Sequence, residues 1–421
     1  TKGNTFILKV FAKERQQKFL DFQEKILLYL MAKDKNLLAP KVIKTKCGYS
    51  STFFTDAKGY KRSVMLLSWI PGRIWNQVNP HTENLRYELG FTCGTLSKFL
   101  NDFDHDFAHR TFEWDIAKGL WTKEYLNLFE SKDQKLILNM INLFEKIHPE
   151  YHSLQKSIVH NDANNFNCIV SESVFNPGVI GLIDYGDAIY TQVINDLAIS
   201  CCYAIMDFED PLQASLSIVK GYNQAFSIEE EALACLYVCI GIRLIISVTK
   251  SRINKLKEPK NTYLQISEKS AWELLRKWDT IDPEFAHYNF REACGFYPHP
   301  QSNEFSNWAL SKTVSLKSLF PSLQKEQVYH LDLSVSSPWL GNPTEFNDLD
   351  WFDYELNKIQ KGNPKKIISG GYLEPRPLYT DSSYEKTGND GLESRCIHLG
   401  VDFWARADTT VHSFVDGEVI I

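Results

Sequence analysis

The sequence predicts an α+β protein of two lobes, a small lobe of strands and one helix followed by a larger α-rich lobe, with an all-β fragment at its C-terminus. Three observations carry this reading. Short apolar runs with strand-like alternation fill roughly the first 75 positions. Helical periodicity dominates from about 80 to 290, broken by a β-rich island from Ser157 to Asp187. From Gly370 onward short alternating runs return. A chain of 421 residues is longer than one core usually organises. With 43% hydrophobic and 23% charged residues it has the apolar surface to fold.

Taken in order, residues 1–75 form the small lobe: Thr5 to Phe11 reads as a strand, Arg15 to Met31 as an amphipathic helix, and Tyr60 to Trp69 as a strand closed by Pro71 and Gly72. Residues 76–295 form the large lobe. Residues 296–369, dense in Pro, Ser, Asn and aromatics, read as a connecting region with a strand at Val328 to Val335. Residues 370–421 begin a separate β unit.

Composition excludes several classes of partner. Forty-six Lys and Arg against 52 Asp and Glu give a net charge of -6, with no basic stripe for a nucleic-acid backbone. The most apolar run, Ala232 to Val248, holds Gly241 and Arg243 and is shorter than the roughly 20 residues that span a bilayer, so it reads as a buried helix and not a membrane anchor. Nine cysteines, several within apolar segments, fit reduced packing residues and a cytoplasmic setting.

The most informative stretch runs from Ile158 to Asp187. An apolar strand delivers His160, Asn161 and Asp162; Asn167 follows five residues after Asp162; a second apolar strand ends at Asp184, Tyr185 and Gly186. Phosphoryl transfer needs a carboxylate to orient and deprotonate the attacking hydroxyl, and oxygen ligands for magnesium on the nucleotide phosphates. Asp162 suits the first task. Asn167 and Asp184 suit the second, because a hairpin-like turn around Asn176, Pro177 and Gly178 is expected to join the two strands. His160 completes the catalytic loop, holding its shape through the backbone.

Upstream, Lys9 stands among apolar residues in its strand, and Glu24 falls on the apolar face of the following helix with Leu20, Leu27 and Met31. An unpaired carboxylate there would be costly. Pairing Lys9 with Glu24 resolves both anomalies and leaves the ammonium to reach nucleotide phosphates. The strand carrying Leu67 and Trp69 is then placed as the hinge, its backbone edge facing the adenine.

Together these residues resemble the aminoglycoside phosphotransferase and choline kinase superfamily over residues 1 to about 295, and with it a protein-kinase-like fold. Within that superfamily the chain looks most similar to the hydroxylysine kinase branch, on Leu67 to Gly72, Phe103 to Asp115, Asn195 to Ala198 and Lys220 to Tyr222. The resemblance implies ATP and magnesium as cofactors, Asp162 as catalytic base, Asn167 and Asp184 as magnesium ligands, Lys9 with Glu24 as the phosphate-positioning pair, and Asp196 as a helix acid bracing the catalytic loop. Two departures stand out. Asn161 occupies a position usually held by Gly, and only eight residues precede Lys9 where two strands and a glycine-rich loop are expected.

Only about eleven residues separate Asp184 from Asn195 and Asp196, which leaves no activation segment on which a peptide could lie. A small hydroxylated molecule is the expected substrate, an amino alcohol, hydroxylated amino acid or aminoglycoside. Asp187 and Asp207 are candidates for binding its cation, with Trp114 as a cation-π surface.

The C-terminal stretch from Arg395 to Val419 resembles the first part of a zinc endopeptidase of the M23 type. That resemblance implies His398 and Asp402 as zinc ligands, a set left incomplete because the matching later strand would fall beyond Ile421. The order of segments also resembles the front of a fusion ending in a class III aminotransferase, so the chain is expected to continue into further domains. Two other readings stand beside the kinase: a pseudokinase scaffold, and a zinc endopeptidase acting through the C-terminal unit.

Overall fold

Strand-forming residues at both ends of the first lobe meet in one sheet. The computed structural model describes residues 5–12, 17–33, 39–258, 268–323, 327–340, 348–377 and 382–418, so the expected helix start at Arg15 lies outside the described residues. In chain order the first lobe holds β1 (Phe6–Val10), α1 (Gln17–Lys33), β2 (Val42–Ile43), β3 (Ser51–Thr55) and β4 (Lys61–Ser68). β4 is central: β1, β2 and β3 all pair with it antiparallel, and Lys9 lies opposite Met65. α1 turns Phe19, Phe22, Ile26, Leu27 and Leu30 inward at helical spacing.

The β island follows as β5 (Arg73–Ile74), then, after α2 (Glu83–Leu100) and α3 (Ser131–Ser153), β6 (Lys156–Val159), β7 (Cys168–Val170), β8 (Val179–Leu182) and β9 (Ile189–Gln192). Sequence placed the hairpin turn between the strand before His160 and the strand before Asp184. The turn instead joins β7 to β8, while β6 pairs antiparallel with β9. Asn167 lies immediately before β7, and the Ile183 N–H donates to the Asn167 carbonyl at 2.9 Å, so both loops still arrive at the same sheet edge.

The large lobe is completed by α4 (Ile194–Ala204), α5 (Pro211–Ala225), α6 (Glu230–Lys257), α7 (Glu268–Asp279) and α8 (Pro283–Ala293). α2, whose N-terminus is capped by Thr82, crosses α5 backbone against backbone. A β-carbon at Gly90 would lie 1.9 Å from the Ile218 carbonyl oxygen, and one at Gly221 would lie 2.0 Å from that of Tyr87, so only glycine permits the crossing. α6 is longer than the apolar run seen in sequence and is apolar enough over that length to cross a membrane. Its most apolar window is nevertheless 94% buried within the lobe, as expected of a core helix.

The chain divides into two units, Thr1–Pro300 and Gln301–Ile421. The second has a small core of Leu331, Leu333, Leu356 and Ile368. Its helices include Ser302–Leu310 and Leu349–Gly362, so the stretch read as a connection contributes ordered elements. β10 (Val328–His330) lies parallel to β11 (Ile367–Ser369), which pairs antiparallel with β16 (Phe403–Trp404). Between them, β12 (Glu374–Pro375) pairs with β15 (Ile397–His398), and β13 (Glu385–Gly388) forms a hairpin with β14 (Gly391–Ser394).

Candidate active site

The buried residues Ile158 and Val159 of β6 carry His160 into the interior at the strand end. Its imidazole is fully buried. Nδ1 accepts the Asp162 N–H at 3.2 Å and Nε2 donates to the Ile183 carbonyl at 3.1 Å, which fixes the tautomer and leaves neither nitrogen open to a substrate. His160 therefore ties the loop to the end of β8, and its place beside Asp162 is structural. Asn161 adopts φ 64°, the left-handed region Asn tolerates best after Gly. Its N–H donates at 2.9 Å to Oδ1 of the buried Asp196 at the start of α4, and Oδ2 of Asp196 accepts Ser97 Oγ at 3.4 Å. Burial raises the Asp196 carboxyl against His160 and the backbone N–H donors.

Asp162 follows. Its Oδ2 accepts Asn167 Nδ2 at 2.7 Å, and its Oδ1 accepts Asn164 Nδ2 at 2.9 Å. Asn164 Oδ1 in turn accepts the N–H groups of Phe166 and Asn167, so one amide organises the turn. Burial pushes the Asp162 carboxyl up to about 6, with Arg243 opposing the rise and Asp187 adding to it. Asp184, at φ 62°, caps the short turn at 185–187 by accepting the Gly186 N–H. Burial would raise its carboxyl, but Lys9 and the Gly186 N–H outweigh that and hold it below the ordinary carboxylate value.

Lys9 departs from expectation. Its Nζ pairs with Asp184 Oδ1 at 3.0 Å, whereas Glu24 accepts a hydrogen bond from Ser51 Oγ at 3.3 Å. The periodicity of α1 correctly put Glu24 on a half-buried face, yet that face meets β3, and a neutral hydroxyl satisfies the carboxylate. Lys9, Leu67, Trp69 and Asp184 line a cleft of about 740 Å³, a size suited to a nucleotide-scale ligand. Within that lining the Trp69 N–H is taken by the Thr5 carbonyl at 3.3 Å.

Of the proposed substrate residues, Asp187 is half-buried, and its carboxyl is raised by burial and by Asp184 against Arg243, Arg110 and His160. Asp207 lies beside His81, acting on that imidazole. Trp114 does meet a cation, but an internal one: the Arg243 guanidinium carbon sits 4.8 Å from its ring centre, and Arg243 Nη1 donates to the Trp114 carbonyl at 2.8 Å. Arg243 Nη2 reaches Asp162 Oδ1 at 3.3 Å. Sequence reasoning used this arginine only to argue against a membrane span. Its signal was a lone charge amid the apolar residues of α6.

The oxygen-only pair Asn167 and Asp184 fits a hard divalent cation such as magnesium. The C-terminal pair fits zinc poorly. His398 Nε2 and Asp402 Oδ2 lie 3.2 Å apart, but the same oxygen pairs with Arg376 at 2.6 Å. Among the described residues no group of three His, Cys, Asp or Glu side chains is placed to hold a metal.

Residues 1–234 match the profile of the phosphotransferase enzyme family. The chain is 26% identical over 291 residues to the hydroxylysine kinase of Xenopus laevis, covering 64% of this chain and 77% of that protein. It is 25% identical over 244 residues to the homoserine kinase of Zymomonas mobilis subsp. mobilis, covering 57% of this chain and 71% of that one. Among solved structures a microcompartment-associated aminopropanol kinase shares the fold, with a TM-score of 0.51 at 16% identity over 70% of this chain and 88% of its own.

Proposed function

The chain belongs to the phosphotransferase enzyme family, and from that premise we propose that it transfers the γ-phosphoryl group of ATP to a hydroxyl of an amino alcohol, hydroxylated amino acid or aminoglycoside-like acceptor. The observation that carries this reading is that Asp162, bonded to Asn167 at 2.7 Å, and Asp184, paired with Lys9 of β1 at 3.0 Å, stand on loops that meet at one end of the β7–β8 hairpin, where the Ile183 N–H donates to the Asn167 carbonyl at 2.9 Å. As the acceptor oxygen bonds to the γ-phosphorus, its proton passes to the Asp162 carboxylate. The bond from phosphorus to the β-γ bridging oxygen breaks, and ADP leaves with the electron pair. Raised to about 6, Asp162 is still ionised at neutral pH and is a stronger base than an ordinary aspartate.

Lys9 points its ammonium into the cleft, where nucleotide phosphates would meet it, and Leu67 and Trp69 supply the wall for a base. Asn167 and Asp184 would hold magnesium, which neutralises phosphate charge when bound. Asp187, half-buried and close enough to Asp184 to feel its charge, is the acid we assign to an acceptor cation, and Asp196 braces the loop from behind. Among acceptors, hydroxylysine and homoserine rank first because the curated relatives named above are kinases of those amino acids. All nine cysteines are free, which supports a reducing, cytoplasmic setting. The M23-type reading of the C-terminal unit rests on the closeness of His398 and Asp402, and the Arg376 pair weighs against it.

The test is phosphate transfer from ATP with magnesium to hydroxylysine, homoserine, ethanolamine, choline and an aminoglycoside, with Asp162→Asn as control. Transfer to one acceptor, lost in the control, is the expected result. Equal turnover by the control removes Asp162 from the mechanism, and no transfer to any acceptor favours a scaffold.

A further inference from the structure

Arg243 lies deep in α6, among neighbours that are nearly all buried and apolar, and its side chain is 1% exposed. Taking a guanidinium out of water carries a desolvation penalty that pairing offsets only in part, and an apolar residue would fill this position at lower cost. Stability alone does not account for it. The group is clamped between two rings, Trp114 at 4.8 Å and Tyr203 at 5.5 Å, with Nη1 on the Trp114 carbonyl and Nη2 on Asp162 Oδ1. Its Nε has no hydrogen-bond partner, so the orientation serves Trp114 and Asp162 at the expense of a third donor.

The other groups on Asp162, Asn164 and Asn167, belong to its own loop and move with it. Arg243 comes from a core helix 81 residues further on and is the wrong shape to drift: a planar fork between two aromatic faces. Asp196, from α4, pins the same loop by its backbone at Asn161. The loop is thus fixed to the helical core at two points, one through the main chain and one through the reacting carboxylate.

We propose that Arg243 is a positioning residue for phosphoryl transfer, anchoring the Asp162 carboxylate from α6 in the orientation that receives the acceptor's proton. This rests on the reading of Asp162 as the base, and the test separates the two. The full chain is assayed with ATP, magnesium and hydroxylysine. Arg243→Met is expected to lower kcat about 100-fold with the KM for ATP within about twofold of wild type, as outer-sphere orienting groups do. Arg243→Lys is expected to fall between, and added methylguanidine to restore part of the Arg243→Met rate and none of the Asp162→Asn rate. Thermal unfolding of both single variants and the double needs no acceptor: the Tm effects of Arg243→Met and Asp162→Asn are expected to be non-additive.

A folded Arg243→Met enzyme turning over within about threefold of wild type, while Asp162→Asn is inactive, overturns the inference alone. Full turnover by Asp162→Asn overturns the base assignment. If Arg243→Met does not fold, Arg243→Lys is read in its place. If hydroxylysine is not phosphorylated by the wild type, the unfolding cycle decides, and additivity overturns the anchoring.

Discussion

Two clusters of charged side chains, one at the strand ends of each unit, look alike on paper and behave oppositely in space. In the first, Asp162, Asp184 and Asp187 are raised or lowered by burial and by Lys9, Arg243 and Arg110, and the Lys9 to Asp184 pair stays 30% and 57% exposed at an open cleft. In the second, Arg376 is 4% exposed and spends its guanidinium on both Glu374, at 2.7 Å, and Asp402, at 2.6 Å. An exposed lysine pair is worth only about 0–1 kcal/mol and yields readily to a ligand, whereas Arg376, buried and shared between two carboxylates, closes both to newcomers; Arg243, by contrast, meets Asp162 through Oδ1 alone. Whether acids at strand ends form a site is decided by which cation faces them and how deeply.

The sharpest way to break this contrast is to neutralise one acid on each side. Asp184→Asn should reduce phosphate transfer by about 10³-fold, because it removes from the cleft the carboxylate proposed to hold magnesium. Asp402→Asn should leave transfer within about twofold of wild type, since its partners Arg376 and His398 belong to the second unit. Equal losses in a steady-state assay would show that the two clusters are functionally joined. Next in size, Arg376→Met should destabilise the second unit by about 3–5 kcal/mol, because it removes the cation beside the buried Glu374 and leaves that carboxylate the Leu333 N–H, at 2.9 Å, in place of an ion pair. Denaturant unfolding followed by the tryptophans should show the loss, and an unchanged profile would place that pair in solvent.

Lys9→Met should raise the KM for ATP by about tenfold, roughly 1.4 kcal/mol, with thermal stability almost unchanged, as befits a partly exposed pair. A collapse in Tm would mean the pair is structural. The pH profile sharpens the first cluster further. Asp162, raised to about 6 by burial, must be ionised to accept a proton, so kcat/KM should fall about tenfold per unit as pH drops below that value and be flat above it. A profile still flat at pH 5 would show that Asp162 does not titrate in the productive range. The smallest effect is expected from Asn161→Gly, which relaxes a residue at φ 64° and should change stability by less than about 1 kcal/mol.

What could be read from sequence was what is local in sequence. The catalytic loop folds on itself through Asn164, so the spacing of Asp162 and Asn167 translated directly into geometry. The periodicity of α1 gave the face on which Glu24 sits but not the strand that face meets, and the expected lysine partner turned out to be a serine. The turn around Asn176, Pro177 and Gly178 was visible, yet which strand enters it was not, because β7 pairs with β8 while β6 finds its partner some thirty residues later in β9. Trp114 was read as a surface for a substrate's cation, and its ring instead meets the Arg243 guanidinium, which arrives from α6. The one charged residue in the apolar run from Ala232 to Val248, Arg243, should have been read as a demand for a buried acid, and Asp162 was already in hand.

The crossing of α2 and α5 carries a consequence for inheritance as much as for shape. With no room for a methyl group at Gly90 or Gly221, the two helices share a joint without slack. Ser97, about two turns beyond Gly90 along α2, donates to Asp196, the acid that holds the loop of Asp162. A change as slight as glycine to alanine at that joint would be transmitted, as a wedge is, to the place where phosphate is handed over. Among the most fragile letters of this gene are therefore two of its blandest, neither of them in the loops that carry Asp162 and Asp184.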